Sequence, residues 1–274
     1  MDTTNYLRVF DKHLSEDPNI FWFNVLNNDG LCRIVTDYQI FSPKEKMQQY
    51  YLTSMGIKLG QALEELFSVL LTEVGAEFSI NRREVVDGYD CDQIFKFNDK
   101  VVLIEQKIRD DHDSAKKRGQ VDNYKHKKKE LLSNEKKVYS CMWFIDPLFS
   151  KNKKYYIEEI GAEEVLYGNE IENFLAEVFE DDRCKGISNK LTTLLKEYRN
   201  TIKLTNHKEA IQIDYMQLQP KALWQFLVAI ETSPELLELF GEMDYVELLT
   251  FLKKKRATDY TKKAISLLEE KVNE

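Results

Sequence analysis

The sequence is poor in the residues that mark disulfide-rich or zinc-binding domains. Its 274 residues include only four cysteines, and no two of them form a CxxC pair; they stand at positions 32, 91, 141 and 184. This spacing predicts neither a zinc site nor a redox dithiol, and it is typical of a reducing cytoplasm. Proline and glycine are also few, at five and ten residues. With no internal repeat or low-complexity segment, the composition gives no indication of extended disorder.

Long hydrophobic runs are missing as well. No apolar stretch approaches the roughly 20 residues that span a bilayer. The segment from Met1 to Asn5 has no basic residues ahead of an apolar stretch, which argues against a secretory signal. We therefore expect a soluble, cytoplasmic protein without a membrane partner.

The chain also lacks an excess of positive charge. It has 39 lysines and arginines against 47 aspartates and glutamates, a net charge of −8. This balance argues weakly against nonspecific coating of nucleic acid, but phosphate binding depends on where the positive charges lie. The basic residues are clustered in five runs, at 116–118, 125–129, 136–137, 151–154 and 253–256. Any one run is more often a solvated helix face, but three of them closely follow the motif described below, which favours phosphate binding.

The hydrophobic period changes along the chain from helical to strand-like and back. Ser42-Pro43 is typical of a helix start, and the helical pattern continues to Val74, with a break near Gly56 and a stop at Gly75. Asp113 or Ser114 is the expected cap of a later, highly charged helix. Strands are expected at 76–86, 93–97, 101–104 and 138–145, and the charged helix at 114–132. This order predicts an α/β fold.

Helical patterns dominate both ends of the chain. Short helices are expected before the core, and after it Pro220, Pro234 and Asp244 are typical of successive helix starts. We therefore expect three consecutive parts. They are a helical N-terminal region at 1–54, an α/β core at 55–185 and a helical C-terminal subdomain at 186–274.

The residues suited to chemistry are concentrated between Asp92 and Lys107. An apolar strand ends in Glu105-x-Lys107, and residues two apart on a strand point to the same face. A two-residue turn at Asn98-Asp99 brings Asp92 opposite Glu105. Two adjacent carboxylates repel each other unless a cation lies between them. A hard divalent ion such as Mg²⁺ is the natural occupant, and a neighbouring lysine can stabilise negative charge that forms on phosphorus.

This arrangement resembles the active-site motif of the PD-(D/E)XK nuclease superfamily, and the resemblance covers residues 55–146. It implies a restriction-endonuclease-like core with a mixed β-sheet flanked by helices. It also implies that Asp92 and Glu105 bind Mg²⁺, that the Gln106 carbonyl adds a ligand, and that Lys107 serves the attacking water. Cys91 stands where the eponymous proline would be, at a position that varies widely in the superfamily.

Two flanking patterns agree with the resemblance, although each is weak as a bare pattern. Gly60 to Glu64 is similar to a G-x-x-x-E element on the helix before the sheet, which makes Glu64 a catalytic candidate and Glu65 its competitor. Gln120 to Tyr124 is similar to the Q-x-x-x-Y element of RecB-like and phage exonuclease members. It adds Gln120 as a catalytic candidate and Tyr124 as a DNA contact. The remaining DNA-binding candidates are Lys116, Lys117, Arg118, Lys127, Lys128 and Lys129.

Within the superfamily, the chain looks most like a type II restriction endonuclease, because of its size, its helical flanks and its lack of a helicase or ATP motif. This implies cleavage of double-stranded DNA at a short specific sequence, usually as a homodimer, with a cognate DNA methyltransferase as a genetic partner. A repair or recombination nuclease is the alternative if Gln120 and Tyr124 line the site. A noncatalytic DNA-binding or protein-interaction module on the same fold is the second alternative, and loss of a catalytic residue would mark it.

Overall fold

Helices and strands alternate in the middle of the chain, and helices form its ends. The computed structural model describes residues 3–28, 30–35, 40–78, 85–86, 88–110, 113–135, 137–201 and 211–273. The helices are α1 (Thr3–Leu14), α2 (Pro18–Asn27), α3 (Pro43–Glu73), α4 (Ser114–Asn134), α5 (Lys153–Ile160), α6 (Glu170–Phe179), α7 (Ile187–Thr201), α8 (Pro220–Thr232), α9 (Glu235–Phe240), α10 (Tyr245–Lys253) and α11 (Asp259–Asn273). The strands are β1 (Val85–Val86), β2 (Tyr89–Asp90), β3 (Gln93–Phe97), β4 (Lys100–Lys107), β5 (Val138–Phe144) and β6 (Val165–Tyr167). No described helix combines the length and the apolar character needed to cross a membrane.

The central sheet is small and mixed. Its four strands lie in the order β3-β4-β5-β6. β4 pairs antiparallel with β3 and parallel with β5, and β6 adds a second parallel pair. The expected α/β class with a mixed sheet flanked by helices is therefore confirmed.

Both faces of the sheet are covered. Met142 and Phe144 of β5 share a buried cluster with Val121 and Tyr124 of α4. Trp143 lies between them in sequence and so points to the other face, where its ring centroid is 4.7 Å from that of Phe67 on α3. This two-sided burial explains why the strands at the centre are almost continuously apolar.

The start and end of α3 agree with the sequence pattern, but its middle does not. The backbone N–H of Ser42 donates to Glu45, and the N–H of Glu45 donates back to the Ser42 hydroxyl, which makes a capping box. Gly75 has φ of 100°, the left-handed region that favours glycine after a helix. The expected break near Gly56 is wrong, because α3 is one helix of 31 residues. A glycine inside a helix costs only about 1 kcal/mol relative to alanine, which packing of the remaining turns can offset.

Most of the other expected strands and helices are observed within a few residues. The strand expected at 76–86 lies partly outside the described residues; within them, Glu77 forms a bridge with Lys96 and β1 pairs with β2. The N-cap of α4 is Asp113, whose carboxylate accepts from the backbone N–H groups of Ala115 and Lys116. The short elements α5, β6 and α6 were not predicted.

The chain forms two compact units that do not follow one another in sequence. One unit joins Met1–His13 with Lys58–Ile202, and the other joins Leu14–Ile57 with Lys203–Glu274. The expected N-terminal and C-terminal helical parts therefore contribute to a common core, which includes Trp22 of α2 and Phe226 of α8. A helical pattern shows that one face of a helix is buried, but it does not show which partner covers that face.

Candidate active site

The hairpin of β3 and β4 brings three of the predicted site residues together. Asp92 immediately precedes β3, where Gln93 pairs with Ile104, so that its carboxylate lies beside the end of β4. Asp92 Oδ2 accepts a hydrogen bond of 2.9 Å from the backbone N–H of Gln106. The Lys107 ammonium donates to Asp92 Oδ2 and to Glu105 Oε1, at 2.7 Å in each case. Two carboxylates and one amine therefore converge on one point, as the strand register requires.

A second lysine, Lys127, completes this group, although it was predicted to lie on the surface. Lys127 on α4 was grouped with surface lysines that bind DNA, but its side chain is only 4% exposed and its Nζ lies 2.7 Å from Glu105 Oε2. The buried residues of α4 are Val121, Tyr124, Lys127 and Leu131. They recur at intervals of three or four, so the helical period could have identified Lys127 as a buried residue.

The ion pairs determine the charge states within the site. Burial raises the pKa of Glu105, but Lys107 and Lys127 oppose that effect and hold the pKa below its usual value. Burial lowers the pKa of Lys107, but Glu105 and Asp92 outweigh it and raise the pKa. Glu105 and Lys107 are therefore ionised at neutral pH. Asp92 differs, because burial raises its pKa and the Lys107 charge does not fully compensate.

A polar network behind the carboxylates ties the hairpin to α3. The Gln93 amide donates to the backbone carbonyl of Glu64 at 2.8 Å and to the Gln106 side chain at 3.2 Å, and its oxygen accepts from Ser68. The turn of α3 that contains Glu64 is therefore bonded to the residue after Asp92. The competing candidate Glu65 is engaged elsewhere, with Lys12 and His13. Gln93 was missed, although an uncharged polar residue in an apolar hairpin is a signal for such a bond.

Of the two Q-x-x-x-Y residues, Tyr124 belongs to the core. Tyr124 is fully buried, and its hydroxyl donates to Glu164 at 2.7 Å. Its predicted contact with DNA is therefore wrong, because the ring belongs to the core between α4 and the sheet. The Gln120 side chain accepts a hydrogen bond of 3.0 Å from Tyr156.

The other basic candidates on α4 divide into exposed and engaged residues. Lys116, Arg118 and Lys129 are exposed. Lys117 donates to the Asn152 side chain, and Lys128 forms an ion pair with Glu164. Three of the basic candidates are thus presented to solvent on the helix that follows the candidate site.

Those three side chains should contribute to DNA binding through phosphate contacts. Each contact adds a slope of about −0.9 to log K against log salt, so replacing Lys116, Arg118 and Lys129 by alanine should flatten the slope by about 2.7 for all sequences alike. Lys137→Ala is the control, because Lys137 pairs with Asp99 at the opposite end of the hairpin. An unchanged slope in the triple variant, measured by fluorescence anisotropy across a salt series, would show that these residues only solvate the helix.

Among the acidic residues after β4, the structure describes Asp110 and Asp113, and both stabilise the fold. Asp110 is fully buried and accepts from the backbone N–H and the amide of Asn152 and from the Tyr167 hydroxyl. It anchors the loop that leads to α4. Asp111 and His112 lie outside the described residues.

Asp92 and Glu105 are the residues that could bind a divalent ion at this site. Within the described part of the chain, no group of three or more histidine, cysteine, aspartate or glutamate side chains could hold a metal ion. The two carboxylates nevertheless converge on a cationic group, because the Lys107 ammonium bridges them. Such a donor set fits Mg²⁺, which often takes one or two carboxylates and completes its coordination with water and phosphate oxygens.

Comparison with known proteins gives no family for the chain. No family model matches it, and the comparisons with curated proteins and with solved structures also found no match. Its function is therefore inferred from the geometry of Asp92, Glu105, Lys107 and Lys127, and from the resemblance in sequence.

Proposed function

We propose that this protein is a Mg²⁺-dependent deoxyribonuclease with a restriction-endonuclease-like core. The observation that supports this most strongly is the bridge made by Lys107, which lies 2.7 Å from both Asp92 and Glu105 at the end of a buried strand. Two carboxylates aimed at one cationic position are suited to bind a divalent ion and a phosphate.

The residues of the site have separate roles in this proposal. Bound Mg²⁺ would supply Lewis-acid activation of the scissile phosphate. Asp92 and Glu105 would hold the ion, with the Gln106 carbonyl as a further candidate ligand. Lys107 would orient the attacking water and stabilise the negative charge that develops on phosphorus. Glu64 stays a candidate for an additional acidic residue of the active site, since the backbone carbonyl of Glu64 on α3 accepts a hydrogen bond from the Gln93 side chain.

A type II restriction endonuclease is the form of nuclease we propose. It would cut double-stranded DNA at a short sequence as a homodimer, with a cognate DNA methyltransferase encoded nearby. The alternative of a RecB-like repair nuclease loses one of its two supporting residues, because Tyr124 is buried in the core and bonded to Glu164.

One observation favours a noncatalytic module as the second candidate. Asp92 and Glu105 are matched by Lys107 and Lys127, so the site is neutral when all four groups are ionised. A neutral network of this kind can serve as a buried ion-pair cluster without any metal. Under this alternative, the fold would bind DNA or protein and cleave nothing.

Digestion of a mapped plasmid separates these candidates. We expect the purified protein to produce discrete fragments with MgCl₂ and none with excess chelator, because binding of the ion is required for hydrolysis. Asp92→Ala is the matched control and should be inactive under both conditions. A Mg²⁺-dependent smear would favour a processive or nonspecific nuclease. An uncut plasmid in a preparation that still binds DNA would favour the noncatalytic module, and undiminished cutting in chelator would contradict the proposed mechanism.

A further inference from the structure

Lys127 is held in the candidate site by a buried ion pair with Glu105. Its side chain is 4% exposed, that of Glu105 is 7% exposed, and their charged atoms lie 2.7 Å apart. The pair joins α4 to the end of β4, two elements brought together by the tertiary fold. A lysine is seldom this deeply buried unless it is paired, because an isolated ammonium loses several kcal/mol of hydration.

The two lysines bind different oxygens of Glu105. Lys127 contacts Oε2, whereas Lys107 contacts Oε1 and also bridges to Asp92. Oε1 therefore shares the Lys107 ammonium with Asp92, whereas Oε2 is held from α4. Each oxygen of the Glu105 carboxylate is bonded to a different ammonium, which fixes the carboxylate plane.

We propose that Lys127 is a positioning residue, which holds Glu105 Oε2 and thereby directs Oε1 toward a magnesium ion shared with Asp92. This inference rests on the proposed function. Groups that orient a metal ligand typically contribute a factor of about 10 to 100 in metal affinity or activity. Lys127 would act through Glu105 and would touch neither the substrate nor the ion.

Charge alone would produce the opposite effect on metal binding. A lysine near a cation site repels the cation, so its removal should strengthen Mg²⁺ binding if the side chain acts only through its charge. If the side chain orients Glu105, its removal should weaken Mg²⁺ binding. The sign of the change therefore distinguishes positioning from simple neutralisation.

Lys107 provides an internal contrast at the same glutamate. Its ammonium lies between Asp92 and Glu105, where the ion would be held. Lys107→Met should therefore leave the affinity for Mg²⁺ unchanged or slightly higher, whereas Lys127→Met should lower it. Lys129→Met is the matched control, because it removes the same charge from an exposed position on the same helix.

Calorimetric titration of the full-length, metal-free protein with MgCl₂, in the absence of DNA, tests the proposal. We expect Lys127→Met to weaken binding by a factor of about 10 or more, and Lys129→Met to stay close to the wild type. Lys127→Gln removes the same charge with a polar side chain, and it replaces the methionine variant if that variant does not fold. The glutamine variant should also bind Mg²⁺ more weakly than the wild type.

The outcomes separate this inference from the function on which it rests. If the wild type binds Mg²⁺ and the Lys127 variants bind it as tightly or more tightly, the positioning role is wrong and the nuclease proposal stands. If the wild type binds no Mg²⁺ and cuts no DNA, both proposals fail together. Equal weakening by Lys127→Met and Lys129→Met would also overturn the positioning role, since only one of these residues contacts Glu105.

Discussion

Glu105→Gln is expected to lower the free energy of unfolding of the metal-free protein by about 3–5 kcal/mol, the usual cost of leaving a buried charge without its partner. Glu105 is the carboxylate that neutralises Lys127, which is 4% exposed, and it shares Lys107 with Asp92. Glutamine preserves the shape of the side chain but removes the negative charge. Urea denaturation monitored by circular dichroism measures this loss.

The pKa of Glu105 also determines how the stability of the folded protein depends on pH. The pKa of Glu105 in the folded protein lies below its ordinary value of 4.5. Its contribution to stability is therefore fully present above about pH 4.5 and is lost as the pH falls through the folded pKa. The Glu105→Gln variant should lack this component, so the difference in stability between variant and wild type should shrink in acid.

Asp92→Asn is the matched control for this prediction. It removes the other carboxylate of the site, but burial raises the pKa of Asp92 and so already disfavours the ionised form of this side chain. Lys107 also keeps Glu105 as a partner after the change. We expect the stability of this variant to stay within about 1 kcal/mol of the wild type. Equal losses in the two variants would show that both carboxylates serve the fold in the same way.

The sequence predicted the local geometry of the site because that geometry follows from strand periodicity and a short turn. Asn98 has φ of 54°, a left-handed conformation that asparagine tolerates. The two-residue turn fixes the pairing of Phe97 with Lys100 and hence the register along the whole hairpin. The convergence of Asp92, Glu105 and Lys107 is a direct consequence of that register.

Contacts between distant elements could not be predicted in the same way. Lys127 was predicted to bind DNA from an exposed face of α4, because that prediction followed the basic composition of the run and not the helical period of the buried positions. Tyr124 was assigned to DNA by its motif, whereas its partner Glu164 lies 40 residues away in the chain. The shared core of Trp22 and Phe226 likewise depends on which buried faces meet. The helical period of apolar residues identifies the buried face of a helix, but it does not specify which element covers that face.

Lys107→Ala is expected to reduce the rate of DNA cleavage by a factor of about 10² to 10³, or roughly 3–4 kcal/mol, as for the loss of one group that stabilises transition-state charge. The variant keeps both carboxylates, so Mg²⁺ and DNA should still bind. Lys107→Arg should not restore the rate, because its broad planar guanidinium cannot replace a compact ammonium between Asp92 and Glu105.

Single-turnover cleavage by Lys107→Ala, measured beside DNA binding on the same substrate, is the most direct test of the proposed active site. We predict cleavage that is slower by a factor of about 10² to 10³ with binding preserved. Cleavage at the wild-type rate would contradict the proposed active site, because Glu105-x-Lys107 would then be a chance match and the active site would lie elsewhere. Loss of DNA binding in the folded variant would also contradict it, since Lys107 would then anchor phosphate rather than serve the chemical step.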